Sequence, residues 1–224
     1  MITKETIAAE LQALQSRICN AIESADGSGK FVVEEWSREG GGGGITRILQ
    51  NGNVLEKAGV NFSAVHGELP QNIMNALNVS SSQFFACGVS IVMHPVSPMV
   101  PIIHMNVRYF ELGDGQWWFG GGIDLTPHYV NESDAKFFHQ ELKQVCDRYD
   151  SGFYPKFKKW ADDYFFIKHR NETRGIGGRK HFSLFCSTSE ILSHRFIQSS
   201  FIGIANCISV KMKSNGNYCA ADDM

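Results

Sequence analysis

Three short stretches carry the residues whose types and spacing could do chemistry. In 101–108, Pro-Ile-Ile-His-Met-Asn-Val-Arg, an extended backbone sends alternate side chains to opposite faces. His104, Asn106 and Arg108 then share one face over roughly 13 Å, while Ile103, Met105 and Val107 share the other. In 88–94 the same parity groups Ser90 with His94 and opposes them to Val89, Ile91 and Met93. In 117–124, Trp-Trp-Phe-Gly-Gly-Gly-Ile-Asp, it aligns Trp118, Gly120, Gly122 and Asp124. Glycine weakens a strand unless something must approach its backbone closely. Two glycines on a face that ends in an acid read as a floor cleared for a flat ligand. If the three strands neighbour one another, an imidazole, an amide, a guanidinium, a hydroxyl and a carboxylate converge on one surface. Alternation of polar and apolar residues is also what any half-exposed antiparallel strand shows, and the triple glycine also fits a bulge.

Other polar clusters have plainer readings. The glycine run 40–44 lacks the Gly-Lys-Ser/Thr ending and following helix of a phosphate loop, so a turn or flap is expected there. His139 shares a helical face with Leu142 and Cys146, which favours a core histidine. In 169–174, His-Arg-Asn-Glu-Thr-Arg, a solvated helix end is the default. Arg170 and Arg174 nonetheless precede the turn Gly175-Ile176-Gly177-Gly178, and guanidinium groups there could hold carboxylates in a bidentate fashion.

The elements that must position these residues follow from hydrophobic period and turn chemistry. A first amphipathic helix is expected from Lys4 to about Ser24. Extended segments follow over 30–36, 45–50 and 53–63, with Asn51-Gly52 as a hairpin turn. A short helix is expected over 69–77, then strands over 83–94, 102–111 and 116–125. After Pro127 the period changes from 2 to about 3.6. Ala135, Phe138, Leu142, Val145 and Tyr149 fall on one helical face, and Phe153, Phe157, Trp160, Tyr164 and Ile167 on the next. Strands first and helices later point to an α+β domain with a large, mainly antiparallel sheet.

The chain has 224 residues, 43% of them hydrophobic, and a formal net charge of −2. It can bury a sizeable core and lacks the basic footprint of a nucleic-acid binder. No run approaches the roughly 18 apolar residues of a membrane span. The N-terminal helix carries Glu5 and Glu10 and has the character of neither a signal nor a transit peptide, so a cytoplasmic location is expected. Cysteines stand at 19, 87, 146, 186, 207 and 219 without a CxxC, which predicts reduced thiols, several of them buried.

The fragments GGGGGITRILQNGNVLEKAGVNFSAVHG, GVSIVMHP, PIIHMNVRYF, QWWFGGGIDLTP, YPKFKKWADDYFFIKHR and RGIGG together resemble the oxygen-dependent coproporphyrinogen III oxidases, in order and spacing. The most specific part is WWFGGGxDLTP with HxNxR upstream and HRxExRGIGG downstream. The resemblance implies a three-layer fold, with helices on both faces of the sheet, and a homodimer. It implies oxidative decarboxylation of two propionates of coproporphyrinogen III to vinyl groups in haem biosynthesis, consuming O2 and forming CO2 and H2O2. No organic cofactor is implied; a divalent metal is a proposed requirement for some members. By resemblance His104 is the proton donor, Asp124 faces the pyrrole nitrogens, and Ser90, Asn106, Val107 and Arg108 contact substrate. His94, His104, His139 and His169 match suggested metal ligands.

The resemblance runs to about Gly178, where Arg179-Lys180-His181 interrupts it. Residues 1–178 are therefore expected to form an incomplete coproporphyrinogen oxidase-like domain, with 179–224 a divergent tail. The alternative function is a non-catalytic tetrapyrrole binder or a product without activity.

Overall fold

The computed structural model describes residues 3–77, 79–173 and 182–188, the last of these as backbone only. The first element, α1 (Lys4–Asp26), begins where the Thr3 hydroxyl accepts from the Thr6 N–H at 3.3 Å, and ends at Gly27 with φ 85°. Ile7, Leu11, Leu14, Ile18 and Ile22 recur at helical spacing and are buried. Gln15 sits within this stripe, fully buried, and its amide donates to the carbonyls of Ile45 and Val60, both at 2.8 Å. A single side chain thus fixes the helix over two strands.

Those strands belong to an antiparallel meander: β1 (Val32–Ser37), β2 (Gly42–Gln50), β3 (Leu55–Glu68), β4 (Gln83–Pro95), β5 (Ile102–Leu112) and β6 (Trp117–Thr126) lie side by side in chain order. A short helix, α2 (Gln71–Leu77), links β3 to β4. After α3 (Glu132–Asp147) and α4 (Phe153–Phe165), a two-stranded ribbon of β7 (Phe166–Ile167) and β8 (Glu172–Thr173) follows. Last, β9 (Phe182–Thr188) returns to pair antiparallel with β6 as the seventh strand. The α+β class and the antiparallel sheet with its helices are as expected; of the helical layers expected on both faces, the described residues place α1, α3 and α4 together on one. Residue 178 divides no described element; apart from the backbone of β9, the tail 179–224 lies outside the described residues.

The sheet has two unlike faces. Ala58, Val60 and Phe62 of β3, Val89, Ile91 and Met93 of β4, Ile103, Met105 and Val107 of β5, and Ile123 and Leu125 of β6 are buried. They form one core cluster with Leu14 and Ile18 of α1, Phe138 and Leu142 of α3, and Phe157 of α4. The opposite face carries the polar partners of those strands and, apart from buried Leu112 and Gly122, is exposed or half-exposed on β4, β5 and β6. Hydrophobic burial therefore fixes which face each polar side chain takes, because a one-residue slip would invert every position.

Several details depart from expectation for local reasons. Gly40 and Gly41 lie in the expected turn, between β1 and β2, but Gly42, Gly43 and Gly44 lie in β2. A β-carbon on Gly44 would meet the Phe62 carbonyl oxygen at 2.3 Å and the Trp36 ring at 2.5 Å, so bare backbone is needed there. In the β2–β3 turn the left-handed residue is Asn51, with φ 56°. The turn is shaped by Asp26, whose carboxylate accepts from the N–H groups of Gly29 (2.7 Å), Asn53 (3.0 Å), Val54 and Leu55 (both 2.9 Å). On α4 the buried stripe is Phe153, Phe157 and Ala161; Trp160 and Tyr164 face outward. Cys19, Cys87 and Cys146 are free and buried, and burial pushes their thiols up to about 11, 12 and 12.

Candidate functional site

The pairing of β4, β5 and β6 brings together most of the polar residues singled out above. Asn106 of β5 lies opposite Ser90 of β4 on one side and Gly122 of β6 on the other. Arg108 lies between Gly88 and Gly120, and His104 between Val92 and Asp124. The conditional neighbourhood read from parity is thus met strand by strand.

The chemical centre of this face is the contact between His104 and Asp124. The imidazole Nδ1 is 3.1 Å from the Asp124 Oδ2, and the Thr126 hydroxyl donates to the same oxygen at 3.3 Å. The Asp124 side chain is 17% exposed and that of His104 43%, so the acid is held back while the imidazole reaches outward. With Asp124 ionised, Nδ1–H donates to it, which leaves Nε2 as the ring atom for exchange with a ligand. Among the described residues no hydrogen bond is made to that nitrogen.

Beside this pair the floor is low. Gly88, Gly120 and Gly122 have no side chains, and a β-carbon on Gly88 would lie 2.6 Å from the Val107 carbonyl oxygen. The Arg108 guanidinium donates to Asn106 Oδ1 at 3.0 Å, so its charge stands at the floor's margin, exposed and oriented by the amide. Toward the β5–β6 turn the floor is bounded by aromatic rings. Phe110 stacks on Trp118 with centroids 4.7 Å apart, and on Phe84 at 5.6 Å. The arrangement is a tray: low in the middle, ionisable at one end, aromatic at the other. It can bind a broad flat molecule, hold carboxylates at its rim and move a proton at the His104 end.

Not every candidate joins it. Val107 is 1% exposed and lies in the core, so only its backbone belongs to the floor's neighbourhood. His94 is exposed, two residues beyond Val92 on the polar face of β4. His139 lies in the contact between α3 and α4, with Nδ1 2.9 Å from the Tyr154 hydroxyl; burial pushes it down to about 4. Its helical neighbours favoured a core histidine, but the residue is half-buried at this helix contact rather than part of the core. His169 and Arg170 stand in the β7–β8 turn, both exposed, and Arg174 lies outside the described residues. The four histidines His94, His104, His139 and His169 are therefore not gathered as a ligand set, and among the described residues no three His, Cys, Asp or Glu side chains group so as to hold a metal ion. The described residues alone do not make a metal centre.

The face also runs past the three strands read as functional. Asn61 of β3 lies opposite Ser90, and Thr46 of β2 lies opposite Asn61. The signal was present in the alternation of Gly59, Asn61 and Ser63 with Ala58, Val60 and Phe62. Among the described residues no helix is long and apolar enough to cross a membrane.

A family model described as coproporphyrinogen III oxidase matches residues 6–213. Among curated relatives, "Coproporphyrinogen-III oxidase 1, chloroplastic" of Arabidopsis thaliana is 52% identical over 183 residues, covering 75% of this chain and 47% of the relative. "Oxygen-dependent coproporphyrinogen-III oxidase" of Drosophila melanogaster is 53% identical over 181 residues, covering 75% of this chain and 46% of its own length. The protein of the same name from Prochlorococcus marinus (strain MIT 9312) is 52% identical over 170 residues, covering 75% and 49%. The chain spans about half the length of the curated relatives it matches.

Proposed function

The chain belongs to the coproporphyrinogen III oxidase family, and from that premise we propose that its polar sheet face is the floor of a site for oxidative decarboxylation of coproporphyrinogen III. The observation that carries the proposal is the His104–Asp124 pair, 3.1 Å apart, at the edge of a glycine floor flanked by Arg108. At each of two propionates, a C–H bond on the carbon next to the ring and the bond to the carboxyl group break. A vinyl C=C forms and CO2 leaves. The two electrons and two protons released reduce O2 to H2O2. Dioxygen is the co-substrate, and the proposal includes no organic cofactor and no metal step.

Each residue then has a physical task. Asp124 faces the pyrrole N–H groups and opposes positive charge that develops on the ring as electrons leave it. His104, held by Asp124, moves the proton through Nε2. Arg108 holds a propionate, with Ser90, Asn106 and the Val107 backbone fixing the ring's position; Arg170 and Arg174 are assigned to outer carboxylates. A homodimer and a cytoplasmic location belong to the same proposal, the first read by sedimentation and the second by fractionation.

Mass analysis of product tests this reading. The purified chain is given coproporphyrinogen III with and without oxygen. Oxygen-dependent product lighter by two CH2O2 units is expected. Bound porphyrin without such product would leave a non-catalytic tetrapyrrole binder instead.

A further inference from the structure

The polar face is built as cross-strand lines, and one of them continues further than the assigned contacts. From β6 to β2 it reads Gly122, Asn106, Ser90, Asn61 and Thr46, each opposite the next. The adjacent line reads Asp124, His104, Val92, Gly59 and Ile48. Asn61 is exposed, and among the described residues its amide makes no hydrogen bond to protein. The amide leans along its strand: Nδ2 lies 4.0 Å from where a β-carbon on Gly59 would sit. It therefore reaches toward the line that ends in His104 and Asp124, over a position left bare by glycine. Three strand spacings and one two-residue step separate Asn61 from Asp124, roughly 16 Å. Each side chain with its hydrogen bond takes up about 3 Å of that, which leaves roughly the distance from the ring's central N–H groups to a propionate carboxylate on its far side.

We propose that Asn61 is a substrate-contacting residue whose amide N–H donates to a propionate carboxylate of the tetrapyrrole, at the rim remote from Asp124. The proposal rests on the functional reading above. A neutral donor suits this place: it recognises a carboxylate without the desolvation cost that a second cation would bear once the ligand covers it. Ring N–H groups face Asp124 at one end, and a rim carboxylate meets Asn61 at the other. The two ends together fix the rotation of the ring on the floor, which determines which propionate lies beside His104.

Fluorescence titration of the purified chain and its variants tests this, using coproporphyrin III and its tetramethyl ester as probes. Asn61→Asp places a carboxylate against the substrate's carboxylate. It should raise the Kd for the tetra-acid by about tenfold or more, the loss of a charge-assisted hydrogen bond, and leave the ester within about twofold. Asn61→Ser, which keeps a small donor, should retain most of the affinity for the tetra-acid. Unchanged affinity of Asn61→Asp for the tetra-acid would overturn the proposal. Equal loss for acid and ester, or equal loss in Asn61→Ser and Asn61→Asp, would also overturn it by marking a merely structural effect. An unaltered chain that binds neither probe would overturn the functional reading itself, and this inference with it.

Discussion

His104 and Asp124 meet because register partners on antiparallel strands bring their β-carbons within roughly 5 Å. Asp26 works on the same scale in a different role. It is 4% exposed, and although burial would raise its carboxyl, backbone N–H groups of Leu55, Gly29, Val54 and Asn53 hold it down at about 2. A carboxyl depressed in the folded state adds stability that is fully present above its unfolded value and lost as pH falls through the folded one. For Asp26 that window runs from 3.8 down to about 2. Asp26→Asn should cost about 2–3 kcal/mol in urea unfolding at neutral pH, because several donors lose a charged acceptor. Its stability should also fall less than that of the unaltered chain across that acid window; parallel acid curves would contradict the assignment. Asp26 was missed in the sequence because its partners are backbone groups brought near by folding. His104, Asn106 and Arg108 were legible because parity needs no knowledge of partners.

At the scale of elements, strand existence and facing were legible, and extents less so. β3 runs five residues past the expected end at Ser63, because Ala64–Glu68 has a ladder partner in β4 that a single strand cannot reveal. On α4 the stripe of aromatic residues was read as the buried face, yet Ala161 rather than Trp160 or Tyr164 enters the core. Bulk alone does not decide burial: a small residue fits where close packing leaves no room for a ring. In β4, Gly88 occupies the floor with no room for a side chain, since a β-carbon would sit 2.6 Å from the Val107 oxygen and 3.2 Å from the Arg108 Cα. Gly88→Ala should therefore force β4 and β5 apart locally, at a cost of about 1–3 kcal/mol. A lowered thermal midpoint together with weaker coproporphyrin binding is expected; an unchanged midpoint would mean that the strands yield without strain.

Across the whole molecule the sheet's asymmetry matters most. One face is sealed by α1, α3 and α4 through a single core, and among the described residues no helix packs on the other, which carries the polar tray. The full sheet order was not legible, since alternation assigns faces but not neighbours; the Asn51-Gly52 hairpin joined β2 to β3, and the rest of the meander emerged only from the pairing. The β1 edge stands apart from this core. Among the described residues it has no outer partner strand, and Val32 and Val33 are 73% and 54% exposed. Such an edge templates association between chains. Val33→Lys should reduce concentration-dependent light scattering without lowering the thermal midpoint; equal scattering would place the association elsewhere.

The central claim is that the tray's ionisable end performs the chemistry while the rest of the tray holds the ligand. The measurement that tests it most directly compares Asp124→Ala with the unaltered chain, for oxygen-dependent decarboxylation of coproporphyrinogen III and for coproporphyrin III affinity. Turnover should fall by about a hundredfold or more, the scale of a lost electrostatic or acid–base group, with affinity kept within about threefold. A variant that decarboxylates as fast as the unaltered chain, or one that loses affinity and turnover equally, would contradict the account.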